Sequence, residues 1–262
     1  MENIETKNFE RTGSAYPHDQ EIWSAIEDIV KQHEVPLKDV LESFSVYTRR
    51  INLTRFLLHY ELFKLAQQLP GSIVECGVYR GAGLLTWAKL VEIFCPGDRI
   101  KKIIGFDNFK GFERLAEQDG IEKPERAKVV GGWNAGVYYE ELVKHIDLFH
   151  KDSFIPRCKR IELVEGDLSK TAEQYINENP GLRISLLHLD VDLYEPTLAA
   201  LKAFYPLVVP GGVVIFDEYG MPEWPGESQA VEEYFGDAMP SLHKFPLAST
   251  PGTYMIKGSI NV

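Results

Sequence analysis

Acidic side chains collect where short apolar runs end. The run 184–191 reads ISLLHLDV and is followed by Asp192, and the run 213–217 reads VVIFD and is followed by Glu218. Side chains alternate along a strand, so Asp190 and Asp192 share a face with His188. Neighbouring carboxylates repel one another and hold their protons more tightly unless a cation or a donor stands between them. Asp190, Asp192, Asp217 and Glu218 therefore form a convergent set of oxygen donors. Without Cys or His among them, they suit a hard cation such as Mg²⁺ or Ca²⁺. The competing reading is helix capping, with Asp192 just ahead of a helix that includes Thr197. His188 is a candidate second base or, equally in keeping with its mid-strand place, a hydrogen-bonded core histidine.

A second cluster opens at Glu75-Cys76-Gly77-Val78-Tyr79-Arg80-Gly81-Ala82-Gly83. Glycines between a strand and a helix let backbone N–H groups approach a ligand. The spacing is GxxxGxG and not the GxGxxG of dinucleotide enzymes, which disfavours a pyrophosphate cradle and a nicotinamide dehydrogenase. It resembles instead the first motif of class I S-adenosylmethionine (SAM) methyltransferases, in which Glu75, Gly77, Tyr79, Arg80, Gly81 and Gly83 would face the cofactor. A tight turn with packing glycines is the plainer alternative. Asp107 ends the next strand, where an acid can accept ribose hydroxyls. Asp167 ends the third, where an acid can accept the adenine amine.

These residues need a scaffold that brings strand ends to one edge. Apolar runs at 73–76, 102–107, 161–167, 184–191 and 213–217 alternate with helical stretches at 84–94, 170–178, 197–208 and 227–235. Such alternation predicts a doubly wound, mostly parallel sheet with crossover helices. Tail runs near 242–246 and 252–257 raise the expected count to seven strands. Ligands of open α/β sheets bind at the carboxyl edge, where every acid named above falls. Residues 1–20 read as a loose polar end. Helical periodicity over 21–33 and 38–69 predicts an N-terminal helical segment (1–70) ahead of the main domain (71–262), with Pro70-Gly71 as the break. Residues 108–160 are too long for one crossover. The stretch 113–155, with a helix over 138–150, is expected to be a lid over the cleft, a surface decoration being the alternative.

Composition narrows the classes. The chain has 262 residues, 44% hydrophobic and 26% charged, which is ordinary for a globular protein. A net charge of −11 argues against broad nucleic-acid binding. Cys76, Cys95 and Cys158 form no metal or disulfide pattern, which points to the cytoplasm. The N-terminal sequence has no secretory pattern, and no apolar run reaches the length of a membrane span.

Four segments in order resemble the macrocin O-methyltransferase family: Ile73–Gly81, Gly105–Phe112, Leu187–Thr197, and Pro210-Gly211-Gly212 through Asp217-Glu218-Tyr219 to Gln229-Ala230-Val231. The resemblance implies a seven-stranded class I methyltransferase sheet and transfer of a methyl group from SAM to a hydroxyl of a (deoxy)sugar, nucleotide-linked or on a glycosylated natural product. It implies Mg²⁺ held by Asp190, Asp217 and Glu218, with Asp192 as general base. Glu218 stands where the family has Asp, and Glu195-Pro196 replaces smaller residues. A homodimer or higher homo-oligomer is expected, with a small-molecule sugar or glycoside as acceptor. A catechol or other vicinal diol would suit the same chemistry. A non-catalytic SAM- or nucleotide-binding protein is the reading from another class, and the acid cluster counts against it.

Overall fold

A computed structural model describes residues 17–155, 157–248 and 250–258. The polar stretch expected to be loose therefore lies mostly outside the described residues. The chain divides into two compact units, and the second begins at Phe56. The first holds helices α1 (Pro17–Gln32), α2 (Leu37–Glu42) and α3 (Phe44–Tyr47), and the start of α4 (Arg50–Ala66). In it, Arg49 pairs with Asp19 and lies 5.5 Å from the Trp23 ring centre.

The boundary expected at residue 70 falls earlier, inside α4. The physical reason is burial. Leu58, Leu62, Phe63 and Ala66 on the second half of α4 are core residues of the sheet unit.

That unit alternates β1 (Ser72–Cys76), α5 (Ala82–Phe94), β2 (Ile103–Asp107), α6 (Tyr139–Asp152), β3 (Ile161–Glu165), α7 (Leu168–Glu178), β4 (Ile184–Leu189), α8 (Tyr194–Phe204), β5 (Val208–Phe216), α9 (Pro225–Phe235) and β6 (Thr253–Ile256). The strand order is β3-β2-β1-β4-β5-β6, parallel except for the β5–β6 pair. The order reverses direction at β1, so β1 and β4 flank the switch point where such sheets bind ligands. Every residue of β1 and β4 is buried. Their near-continuous apolar runs follow from having both faces covered. Leu186 and Ile215 face the layer with Leu58, Leu84 and Trp87, while Leu187, Leu189 and Val214 face Phe204 and Val231.

Six strands, not seven, form among the described residues. The 242–246 run contributes a bridge from His243 to Tyr254 and a stack of Phe245 on Tyr254 with ring centres 5.2 Å apart. Pro240 and Pro246 bracket that run, and proline cannot donate to a ladder.

The stretch 113–155 carries three short 3-10 turns before α6. Its first part is tied down by buried polar groups. Asp119 accepts the N–H of Tyr194 at 2.7 Å and of Ala116 at 2.7 Å. Lys128 donates to the carbonyls of Asp119 and Glu223 and lies 5.4 Å from the Trp224 ring centre. This part is braced against the starts of α8 and α9. Farther along, Leu142 of α6 packs close over Gly81.

Candidate active site

The carboxyl edge of the sheet carries two groups of acids that meet at Asp190. The first is a buried row. Glu75 on β1 lies beside His188 on β4, and His188 lies beside Ile215 on β5, whose strand leads into Asp217. His188 Nε2 is 3.0 Å from Asp217 Oδ1 and its Nδ1 is 3.4 Å from Glu75 Oε1. Burial opposes charging of the imidazole. Hydrogen bonding to Asp217 and Glu75, with the field of Asp217 and Asp190, outweighs it and lifts the pKa to about 9. The rings of His59 and Trp87 wall it in, with centres 5.6 and 5.8 Å away.

Of the two roles its spacing offered, the geometry displays the core one: His188 has no exposed surface and lies between the buried carboxylates of Glu75 and Asp217.

The second group is Asp190, Asp192 and Glu218, each offering an oxygen within 4.8 Å of the others. Strand alternation does not produce this proximity. β4 ends at Leu189, and Asp192 sits in a left-handed turn at φ 62°. Asn and Asp tolerate that conformation better than most residues. Asp192 is not the N-cap residue of α8. The cap position is Leu193, and the first N–H of the helix is taken by Asp119. Glu218 is buried, its Oε2 has no hydrogen-bond partner, and burial first, then the charges of Asp217 and Asp192, raise its pKa well above the ordinary carboxylate range. Three hard oxygen donors with one oxygen unmatched form a donor set that fits Mg²⁺. Asp217, expected with them, commits Oδ1 to His188 and is not part of this tight trio.

The glycine turn faces this group across the switch point. Gly77 adopts φ 90°, and a Cβ there would collide with the main-chain oxygen of Asp190. Gly83 leaves room for the Glu75 carboxylate, which a Cβ would strike. Gly81 is the N-cap of α5 and, having no side chain, supplies no side-chain cap to the first amides of the helix. Asp107 Oδ2 accepts the N–H groups of Val78 and Tyr79, each at 2.8 Å, and Oδ1 accepts that of Phe109 at 2.7 Å. A carboxylate offers about four lone pairs, so Asp107 has room for one further donor and not for both ribose hydroxyls. Burial raises its pKa against the pull of these three amides.

Tyr79 rests edge-on to Trp133 and Tyr138 at ring-centre distances of 5.3 and 6.1 Å, and the Arg80 guanidinium lies 4.1 Å from the Tyr138 ring centre. Tyr79, Phe109, Trp133 and Asp192 all have positive φ. Strain of this kind persists where the surroundings over-determine it, commonly at functional sites. Asp167 caps α7 through Ser169 and pairs with Lys170. The capping pattern is legible in Asp-Leu-Ser. Asp119 and Glu227, both buried acids bonded to this edge, were missed. Asp119 lies in the insertion and Glu227 in a helix first turn, where an acid looks unremarkable.

A family model described as macrocin-O-methyltransferase (TylF) matches residues 46–239. The chain is 30% identical to CalS11, a calicheamicin methyltransferase also described as a TDP-rhamnose 3'-O-methyltransferase, over 93% of this chain and 94% of that one, at a TM-score of 0.85. It is 27% identical to an 8-demethyl-8-(2,3-dimethoxy-alpha-L-rhamnosyl)-tetracenomycin-C 4'-O-methyltransferase of Streptomyces olivaceus, covering 60% of this chain and 56% of the relative. It is 26% identical to a mycinamicin III 3''-O-methyltransferase of Micromonospora griseorubida, covering 65% and 62%. The chain thus spans less than two thirds of the length of these two curated relatives. No helix among the described residues is long and apolar enough to cross a membrane.

Proposed function

Because the chain belongs to the macrocin O-methyltransferase family, we propose that it is a SAM- and Mg²⁺-dependent O-methyltransferase acting on a sugar hydroxyl of a nucleotide-linked or glycosidic natural-product intermediate. The observation that carries the reading is the Asp190, Asp192 and Glu218 trio beside the Asp107-braced glycine turn. The names of CalS11 and the two curated relatives, all sugar or glycoside methyltransferases, support a sugar acceptor over a catechol.

When bound, SAM supplies a methyl group on a sulfonium that needs no further activation. Asp190 and Glu218 would hold a divalent cation, with Asp217 steadied behind them by His188, and the cation would supply Lewis-acid activation of the acceptor hydroxyl. Asp192 accepts the proton of the reacting hydroxyl. Asp107 keeps the turn amides in place and takes one further hydroxyl. The rest of the protein's work is alignment of acceptor oxygen, methyl carbon and sulfur. Residues 129–155, beyond the anchor at Lys128, cover the turn and exclude water.

The test is an acceptor screen with labelled SAM and Mg²⁺ across nucleotide-linked deoxysugars, finished glycosides and catechols, with and without chelator. Label should appear in a sugar, vanish with chelator and return with Mg²⁺. Transfer to catechols alone would move the acceptor class, and full turnover after exhaustive chelation would remove the cation from the reaction.

A further inference from the structure

Glu227 is a carboxylate that neither the strand ends nor the glycine turn call for. It lies in the first turn of α9 and has no exposed surface. Its Oε1 accepts the N–H of Glu218 at 2.9 Å. Its Oε2 is buried without a hydrogen-bond partner, as is Oε2 of Glu218. A carboxylate serving only to accept one amide would not need this setting. A neutral Gln would do the same at lower cost, since an unpaired buried charge is strongly unfavourable.

We propose that Glu227 is a positioning residue for a divalent cation at the Asp190–Asp192–Glu218 trio: it fixes Glu218 through that residue's main-chain N–H and adds a fourth carboxylate behind it. The inference rests on the cation reading above. The negative charge it brings raises the cation's affinity, and its grip on Glu218 sets which way that longer arm reaches.

Mn²⁺ binding to the full chain, followed by electron paramagnetic resonance without SAM, reads this directly. Glu227→Gln keeps the volume and the acceptor for the Glu218 amide but removes the charge. Loss of a partner behind a metal ligand typically weakens binding about tenfold to a hundredfold. We expect that loss, with the thermal midpoint of the metal-free chain held. Glu227→Asp restores charge on a shorter arm and should recover part of the lost Mn²⁺ affinity. Equal Mn²⁺ affinity in the unaltered chain and Glu227→Gln overturns this inference alone, as does an Asp variant that binds Mn²⁺ no better than Glu227→Gln. No Mn²⁺ binding by the unaltered chain overturns the cation reading and this inference with it.

Discussion

The row Glu75–His188–Asp217 and the trio Asp190–Asp192–Glu218 sit side by side on one sheet edge, share the same chemistry of donors, and differ in balance. The row has an imidazolium between its carboxylates and no exposed surface to speak of. In the trio only Glu218 is buried, and its Oε2 lies without a hydrogen-bond partner. The row places an imidazole between two buried carboxylates, whereas the trio brings three carboxylate oxygens together with no histidine among them. Acid count alone does not separate the two; the placement of one histidine does.

The largest effect expected from breaking the contrast is on turnover. Asp192→Asn is nearly isosteric, and Asn also tolerates the left-handed backbone at this position. Loss of a general base costs about 10²–10⁴-fold in rate, so kcat should fall by that much while the thermal midpoint stays. Near-normal turnover from mildly acidic to mildly alkaline pH would place the base elsewhere. The row should answer in stability. His188→Leu leaves Glu75 and Asp217 buried without their cation, a change that costs about 3–5 kcal/mol, measured by urea unfolding. A loss under about 1 kcal/mol would mean that the two acids find other compensation. The smallest expected effect comes from crowding the row without discharging it. Gly83→Ala presses a methyl group on the Glu75 carboxylate. Overpacking of this kind costs about 1–3 kcal/mol, and Mg²⁺ affinity should be untouched. A fall in Mg²⁺ affinity matching the stability loss would show that the row and the trio are one unit.

The sheet was legible because its strands are short apolar runs stopped by Gly, Pro and Asp, a pattern that tertiary packing rarely overrides. The acids of the edge were legible for the same reason. Their partners were not. His188 and Glu75 come together through β1–β4 register, which no local spacing encodes. The closeness of Asp190 and Asp192 was foreseen for the wrong cause, since a left-handed turn and not the pleat produces it. The seventh strand failed because two prolines limit the 242–246 run to a single bridge. Asp119 reaches across from the insertion to the start of α8, and its sequence neighbours give no hint of that bond.

The switch point between β1 and β4 joins two halves of the sheet edge. The turn after β1 and the acid after β2 belong to one half of the sheet, and the acids after β4 and β5 with the starts of α8 and α9 belong to the other. The two halves meet along the β1–β4 ladder, in the contact of Glu75 with His188, and where Gly77 lies against the backbone of Asp190. A side chain at Gly77 would therefore push the turn after β1 away from the end of β4, and one methyl group there would misplace the contents of both halves at once.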